Sequence, residues 1–335
     1  MGRLRSTIRD RFPGKTIVIV GDLVADQFLN GTISRVSREA PVFILRHDQT
    51  VTLPGAAANA AANVAALGGK PILIGLVGQD ANGDLLIGKL NDLGVATGNV
   101  VTDASISTTS KVRVFAGQHY AVRQQVIRID YENSSDVPGA LKDKMRAELA
   151  SAGSSADAII VSDYNCGAVF PEIFDDAKAI AAKRHIPLIV DSRYRLAEYQ
   201  DATTATPNRE EVEKVLGEDF NADDCEGLRR RLGYEALLVT NGNQGMSLFE
   251  NDGSPLQLDA VGPKEPVDVT GAGDTVIAAY ALGLAGGLSF ADAATIANHA
   301  GGIVVMKKGT AVVTLDELHA SLLSDGRSQI STHVS

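Results

Sequence analysis

At 335 residues, with 44% hydrophobic and 21% charged content, the chain can bury a large core and has the composition of a globular protein rather than a disordered one. A formal net charge of -10 and an isoelectric point near 5.1 argue against bulk attraction to nucleic acid or to an anionic membrane face. Cys166 and Cys225 lie far apart and in no metal-ligand spacing, so neither a disulfide framework nor a zinc site is indicated, and reducing cytoplasm is the expected compartment.

The basic start is followed by an apolar stretch, 16–20, that is too short for a signal-peptide core and runs directly into Gly21-Asp22. Nothing along the chain approaches transmembrane length. From there, short apolar runs alternate with helical patterns, the signature of a parallel sheet with crossover helices. Buried strands are expected at 16–20, 72–76, 158–161, 187–190, 202–205 and 236–239. Helices fall between them at 56–67, 84–93, 139–150, 171–183, 209–216 and 223–232. The last third reads as helical at 273–284, 289–306 and 315–323, with a loose polar tail after Asp325. No repeat or long linker divides the chain, so 1–335 reads as one domain.

Two segments break the alternation, 42–51 and 109–130, the latter with a turn near Gly117-Gln118. Val112, Val114 and Ala116 alternate with Lys111, Arg113 and Phe115, as in two-faced antiparallel strands. They predict a small sheet over a cleft, either a lid that excludes water and offers a dimer surface, or a plain hairpin excursion.

The strand ends carry polar residues: Asp22, Asp163, Asp191, Asn208 and Asn241-Gly242. In open parallel sheets ligands bind beyond the carboxyl ends of strands, so these residues are expected to line one cleft, although each alone is also ordinary turn chemistry. The helix that starts after Pro54-Gly55 is built of small residues and sets Asn59 and Asn63 one turn apart on one face. It suits either a polyhydroxyl ligand or close helix packing.

The most specific segment is Asp268-Val269-Thr270-Gly271-Ala272-Gly273-Asp274, which opens an apolar helix. Its glycines let backbone N-H groups approach an anion at the positive end of the helix. A carboxylate there repels phosphate, yet a general base for an attacking hydroxyl belongs in that place. Phosphoryl transfer to an alcohol is one reading; the other is that Asp274 merely caps the helix.

Gly21-Asp22, Pro54 to Asn59, Thr206-Pro207-Asn208-Arg209-Glu210-Glu211, Val239-Thr240-Asn241-Gly242 and the Asp268 to Asp274 segment occur in the order of the ribokinase/PfkB carbohydrate kinases, a family this chain resembles over about 15–323. Within it the chain is most similar to the heptose 7-phosphate kinases of ADP-heptose synthesis, through Ser34 to Pro41, Val126 to Asp130, Ser162-Asp163-Tyr164 and Asp268 to Thr275. The resemblance implies an α/β ribokinase-like three-layer sandwich, with a mainly parallel central sheet and a small β-sheet lid from about 28–52 and 107–131. It implies ATP, Mg2+ and K+ as cofactors, a small-molecule sugar or sugar phosphate as partner, and a homodimer formed through the lid.

Residue by residue, the resemblance makes Asp274 the general base and the Gly271, Ala272 and Gly273 amides the holders of developing phosphoryl charge. Asn208 and Glu211 would place Mg2+, through water, and Thr240, Gly242, Gln244 and Asn298 would surround the nucleotide. Asp22, Asp26, Gly55, Asn59 and Asp163 would bind sugar, with Lys111, Arg128 or Arg193 supplying charge for a phosphorylated acceptor. Asp268, Thr270 and Gly309 match positions that hold a monovalent cation in relatives.

The chain departs from the family pattern at Ala56, where Gly is usual, at Asn165-Cys166, where the heptose kinases carry Lys, and at Ser192-Arg193 in place of Pro-Lys. Bifunctional relatives add a nucleotidyltransferase domain with a His-x-Gly-His signature, which this chain lacks, so if it serves ADP-heptose synthesis a separate protein would perform adenylyl transfer. A dinucleotide-dependent oxidoreductase fits poorly, because Gly-Asp-Leu-Val-Ala-Asp follows Val20 instead of a Gly-x-Gly-x-x-Gly turn. A regulatory protein that kept the fold and lost catalysis is opposed by the intact Gly271, Gly273 and Asp274.

Overall fold

The structure, a computed structural model, describes residues 2–118, 123–132, 137–250, 253–263 and 265–331. The chain opens with α1 (Gly2–Arg11), β1 (Thr16–Gly21), β2 (Leu23–Val36), β3 (Phe43–Ala56), α2 (Ala57–Ala66), β4 (Lys70–Gly78), α3 (Ala81–Asp92) and β5 (Val100–Asp103). It continues through β6 (Ser110–Gly117), β7 (Gln124–Tyr131), α4 (Gly139–Gly153), β8 (Ala158–Asp163), α5 (Pro171–Arg184), β9 (Leu188–Ser192), β10 (Thr204–Ala205), α6 (Arg209–Leu216) and α7 (Ala222–Leu232). The last part comprises β11 (Ala236–Thr240), β12 (Met246–Glu250), β13 (Leu256–Leu258), α8 (Ala272–Ala285), α9 (Phe290–Val304) and α10 (Leu315–Ser331).

The large sheet runs β13-β12-β11-β10-β9-β8-β1-β4-β5, parallel from β11 to β5 and antiparallel at β12 and β13. Its strands read as continuous apolar runs because both faces are covered. Ile17 and Ile19 of β1 join the core on one face and Val18 and Val20 the other; Ile160 and Ile159 of β8 divide the same way. Helix α8 is apolar on every side and buried from Asp274 to Leu284, packed between the sheet, α2 and α9. The alanines of α2 leave room for that approach.

The small sheet runs β3-β2-β6-β7, with β2 and β6 parallel and the other pairs antiparallel. Strand β2 follows β1 with only Asp22 between, so one chain enters both sheets. The hydrophobic pattern does not mark this strand, because its polar positions look like a strand-end loop; the family resemblance places lid strands from about 28, within β2 but not at its start. Its buried base is Leu23 to Asp26 and its far end is exposed. The tip of the predicted hairpin, 119–122, lies outside the described residues. Strands β5, β12 and β13 and helix α1 were also not anticipated, being short or flanked by polar residues. Helix α10 continues to Ser331, where a loose tail was expected after Asp325, and 332–335 lie outside the described residues.

Candidate active site

Asp274 is the third residue of α8, and the helix does not use it as a cap. The N-cap is Gly271, left-handed at φ 76°, and no side chain caps the helix. The Asp274 carboxylate turns inward, 3% exposed, and takes one donor on each oxygen: Asn59 Nδ2 donates to Oδ2 and the Tyr164 hydroxyl to Oδ1, both at 2.8 Å. Burial pushes its pKa up to about 7, against the two hydrogen bonds, which favour the charged form, and with the Asp26 charge adding to the rise. A carboxyl poised there exchanges protons at neutral pH.

The motif's glycines have separate duties. A Cβ on Gly271 would strike the Asn59 amide, and the residue also needs its left-handed φ. Gly273 is exposed, and a Cβ there would meet nothing, so its face of the first turn is open. Of the three amides expected to face an anion, the Ala272 N-H turns away and donates to the Val269 carbonyl at 3.2 Å. Gly273 lies in the first turn, where N-H groups have no intrahelical acceptor.

Asn59 was expected to meet sugar; it is instead fully buried and spends its amide on Asp274 and on the Gly271 carbonyl. Asn63, one turn on, donates to the Asn59 carbonyl and accepts from the Val313 N-H, so α2, α8 and the loop before α10 are tied at one point. Two further readings change. Asp22 is 1% exposed and accepts backbone N-H groups of Tyr164, Cys166 and Ala168 at 2.7 to 3.0 Å, so it winds the loop after β8. Asp163 is wholly buried and accepts from Ser192, Arg195, Tyr199 and the Asn165 N-H, which leaves it a structural hub and not a sugar ligand.

Asp26 is buried against Arg113, a residue the sequence did not single out; the guanidinium also lies 5.4 Å over the Phe28 ring. Burial raises the Asp26 pKa against that positive neighbour. Gly55 pairs with Val24 across the two strands, and a Cβ there would run into the Asp26 carboxylate. Ala56 adopts φ 55° and ψ -132°, a conformation suited to glycine. Lys111 is held by Asp130 and Glu132, and Arg128 by Asp130, so neither presents an unpaired charge. A cavity of about 100 Å3 between Asp22, Leu76, Thr109 and Cys166 sits beside this end. Burial pushes the Cys166 thiol up to about 12, so it is neutral.

On the other side of α8 an apolar cavity of about 170 Å3 is lined by Thr240, Gly242, Met246, Gly273, Val276 and Asn298, among others. Asn298 donates to the Asp259 carbonyl at 2.7 Å. Gln244 is exposed and does not line the cavity, whereas its neighbour Asn243 does. A larger groove, about 530 Å3, opens at the opposite, amino-terminal edge of the strands near Pro187 and Thr203; its size does not make it the reaction centre, because the convergent carboxylates lie elsewhere.

Asn208 and Glu211 form a reciprocal cap at the start of α6: the Glu211 N-H donates to Asn208 Oδ1 and the Asn208 N-H to Glu211 Oε2. Burial raises the Glu211 pKa. Burial also raises that of Asp191, together with repulsion from Glu211 and Asp274. Arg193 is exposed at the same end, and its charge acts on Asp191, Glu211 and Asp274. Such mutually repelling hard oxygen groups fit a divalent cation brought with phosphates. Among the described residues no three His, Cys, Asp or Glu side chains converge as a ready-made metal cage. Asp268 accepts from the Thr270 and Gly309 N-H groups at 2.9 Å and staples those two turns; each oxygen keeps a lone pair, so a monovalent cation also fits.

The fold is that of the ribokinase class of α/β proteins. Arabidopsis thaliana ribokinase, solved with ribose and ATP, superposes with a TM-score of 0.67 at 21% identity, covering 93% of this chain and 98% of that one. Phosphofructokinase-2 from Escherichia coli, solved with potassium, gives 0.76 at 20% identity, over 93% and 99%. Residues 15–317 match the pfkB family carbohydrate kinases, and the chain belongs to that family. The bifunctional protein HldE of Caulobacter vibrioides is 40% identical over 316 residues, 92% of this chain and 64% of that protein. HldE of Azorhizobium caulinodans is 39% identical over 313 residues, 91% and 64%. The chain thus spans less than two thirds of the length of these relatives.

Proposed function

We propose that the protein is an ATP-dependent sugar kinase in which Asp274 takes the proton from the acceptor hydroxyl as the γ-phosphoryl group is transferred, and that the acceptor is heptose 7-phosphate at O1. The observation that carries the chemistry is the buried Asp274 carboxylate, held on both oxygens and pushed up to about 7, between an apolar cavity and the base of the small sheet. Its position at the first turn of α8 puts base and anion-binding amides on one element. The Gly273 face receives the phosphoryl oxygens, and Thr240, Gly242 and Asn298 hold the nucleotide. Arg193 acts at the phosphoryl end.

Glu211, Asp191 and Asn208 are the residues that would hold Mg2+ through water beside the phosphates, and a bound ion would supply positive charge to the transferred group. K+ at Asp268, Thr270 and Gly309 would reinforce the joint between the two turns. Asp26 and Gly55 face the sugar. The small sheet serves as lid, and its exposed Val36, Phe43, Val126, Ile127 and Tyr131 form the homodimer surface. The expected place of work is the cytoplasm.

The similarity to HldE supports the heptose acceptor. One observation favours another sugar, such as fructose 6-phosphate or ribose: Lys111 and Arg128 are already paired with acids, and Cys166 is neutral. ADP release with ATP, Mg2+ and heptose 7-phosphate, unphosphorylated heptose, fructose 6-phosphate or ribose separates these. The highest kcat/KM is expected with heptose 7-phosphate. If no sugar stimulates ADP release while nucleotide still binds, the protein is a binding regulator and not a kinase.

A further inference from the structure

Two carboxylates that look like ligands from the sequence build one loop. Asp22 collects the N-H groups of Tyr164, Cys166 and Ala168, and Asp163 takes that of Asn165, which stands at φ 60°. Arg195 locks the turn from below by donating to Asp163 and to the Val169 carbonyl. From this loop the Tyr164 hydroxyl reaches α8, donating to Asp274 Oδ1 at 2.8 Å, across from Asn59 on Oδ2. A carboxylate held by one donor can turn about its terminal torsion, which is broad. One held on both oxygens cannot turn without breaking a buried hydrogen bond.

We propose that Tyr164 is a positioning residue for the reaction base, and that the loop wound on Asp22 and Asp163 exists to deliver its hydroxyl to Asp274. The proposal rests on Asp274 being that base. The Tyr164 phenol stays protonated, because burial and the neighbouring Asp274 charge raise its pKa well above the ordinary value, so it acts only as a donor. Its hydrogen bond favours the ionised carboxylate. Its loss therefore makes Asp274 harder to ionise, and a stronger donor makes it easier.

The test is a carbon-13 NMR titration of the full chain labelled at aspartate side-chain carboxyls, with the Asp274 signal assigned by its loss in Asp274→Asn. Tyr164→Phe should move the Asp274 midpoint to higher pH, and 3-fluorotyrosine installed at position 164, a more acidic phenol, should move it to lower pH. An Asp274 midpoint left in place by either replacement overturns the proposal, since a merely structural ring has no reason to move it in opposite directions. In kinetics, Tyr164→Phe should lower kcat about ten- to a hundredfold with little change in the KM for ATP, on the scale of a lost charge-assisted hydrogen bond. The base assignment has its own arm: wild-type-like turnover in Asp274→Asn would refute that reading, whatever the titrations show.

Discussion

The centre of the large sheet and the small sheet beside it handle polar groups in opposite ways. Around Asp274 the polar groups are committed: Asn59, Asn63, Asp22 and Asp163 are buried and Tyr164 half-buried, and each makes hydrogen bonds within the fold. In the small sheet the charges are paired mostly near solvent, as in Lys111 with Asp130 and Glu132, and β7 is exposed along its whole length. Apolar side chains such as Phe43 and Ile127 also face outward there. A satisfied buried network fixes one geometry, which suits a reacting group. An exposed, apolar, ion-paired sheet can repack around different partners, which suits selection of the acceptor and contact with a second copy.

Four variants probe that contrast. Asp274→Asn keeps the shape of the centre and removes only the base, so turnover should fall about 10^2- to 10^4-fold while nucleotide affinity holds; steady-state kinetics and calorimetric ATP titration check both halves. Arg113→Ala strands the Asp26 carboxylate at the buried root of the small sheet, and should cost roughly 3–5 kcal/mol in urea unfolding. On the outer face, Phe43→Asp with Ile127→Asp should raise the dimer dissociation constant at least about tenfold in sedimentation without lowering the melting temperature. Ala56→Gly relieves a non-glycine residue at φ 55° and should stabilise by roughly 1 kcal/mol, read from thermal or urea unfolding. A large loss of stability on the outer face, or none at Arg113, would erase the distinction between the two regions.

The same contrast explains what the sequence discloses. Strands such as β1 and β8 are legible because apolar residues on both faces leave a run that nothing else produces. The Gly271 to Asp274 segment is legible because its glycines answer a local backbone need. Tyr164 is not, because its meaning lies in a hydroxyl bonded to a residue 110 positions away. Asp22 and Asp163 show the converse error: a carboxylate at a strand end reads alike whether it faces a ligand or winds the next loop, and only the donors around it decide. Arg113 hid in an alternating strand, and its partner Asp26 sits at the start of β2, ahead of the lid segment expected from about 28. Asn208 and Glu211 were recognisable as a pair, but their reciprocal cap appears only once α6 is in place.

The most direct test of Asp274 as the working base is the pH dependence of kcat/KM with the best acceptor, which reports ionisation in the free enzyme. A base must be charged to act, and burial has raised this one to about 7, so activity should be full above that pH. Below it, the rate should fall about tenfold per pH unit. A profile that stays flat from pH 8 down to about 5, with the protein still folded, would contradict the assignment, because a carboxylate base of this environment would be protonated across most of that range.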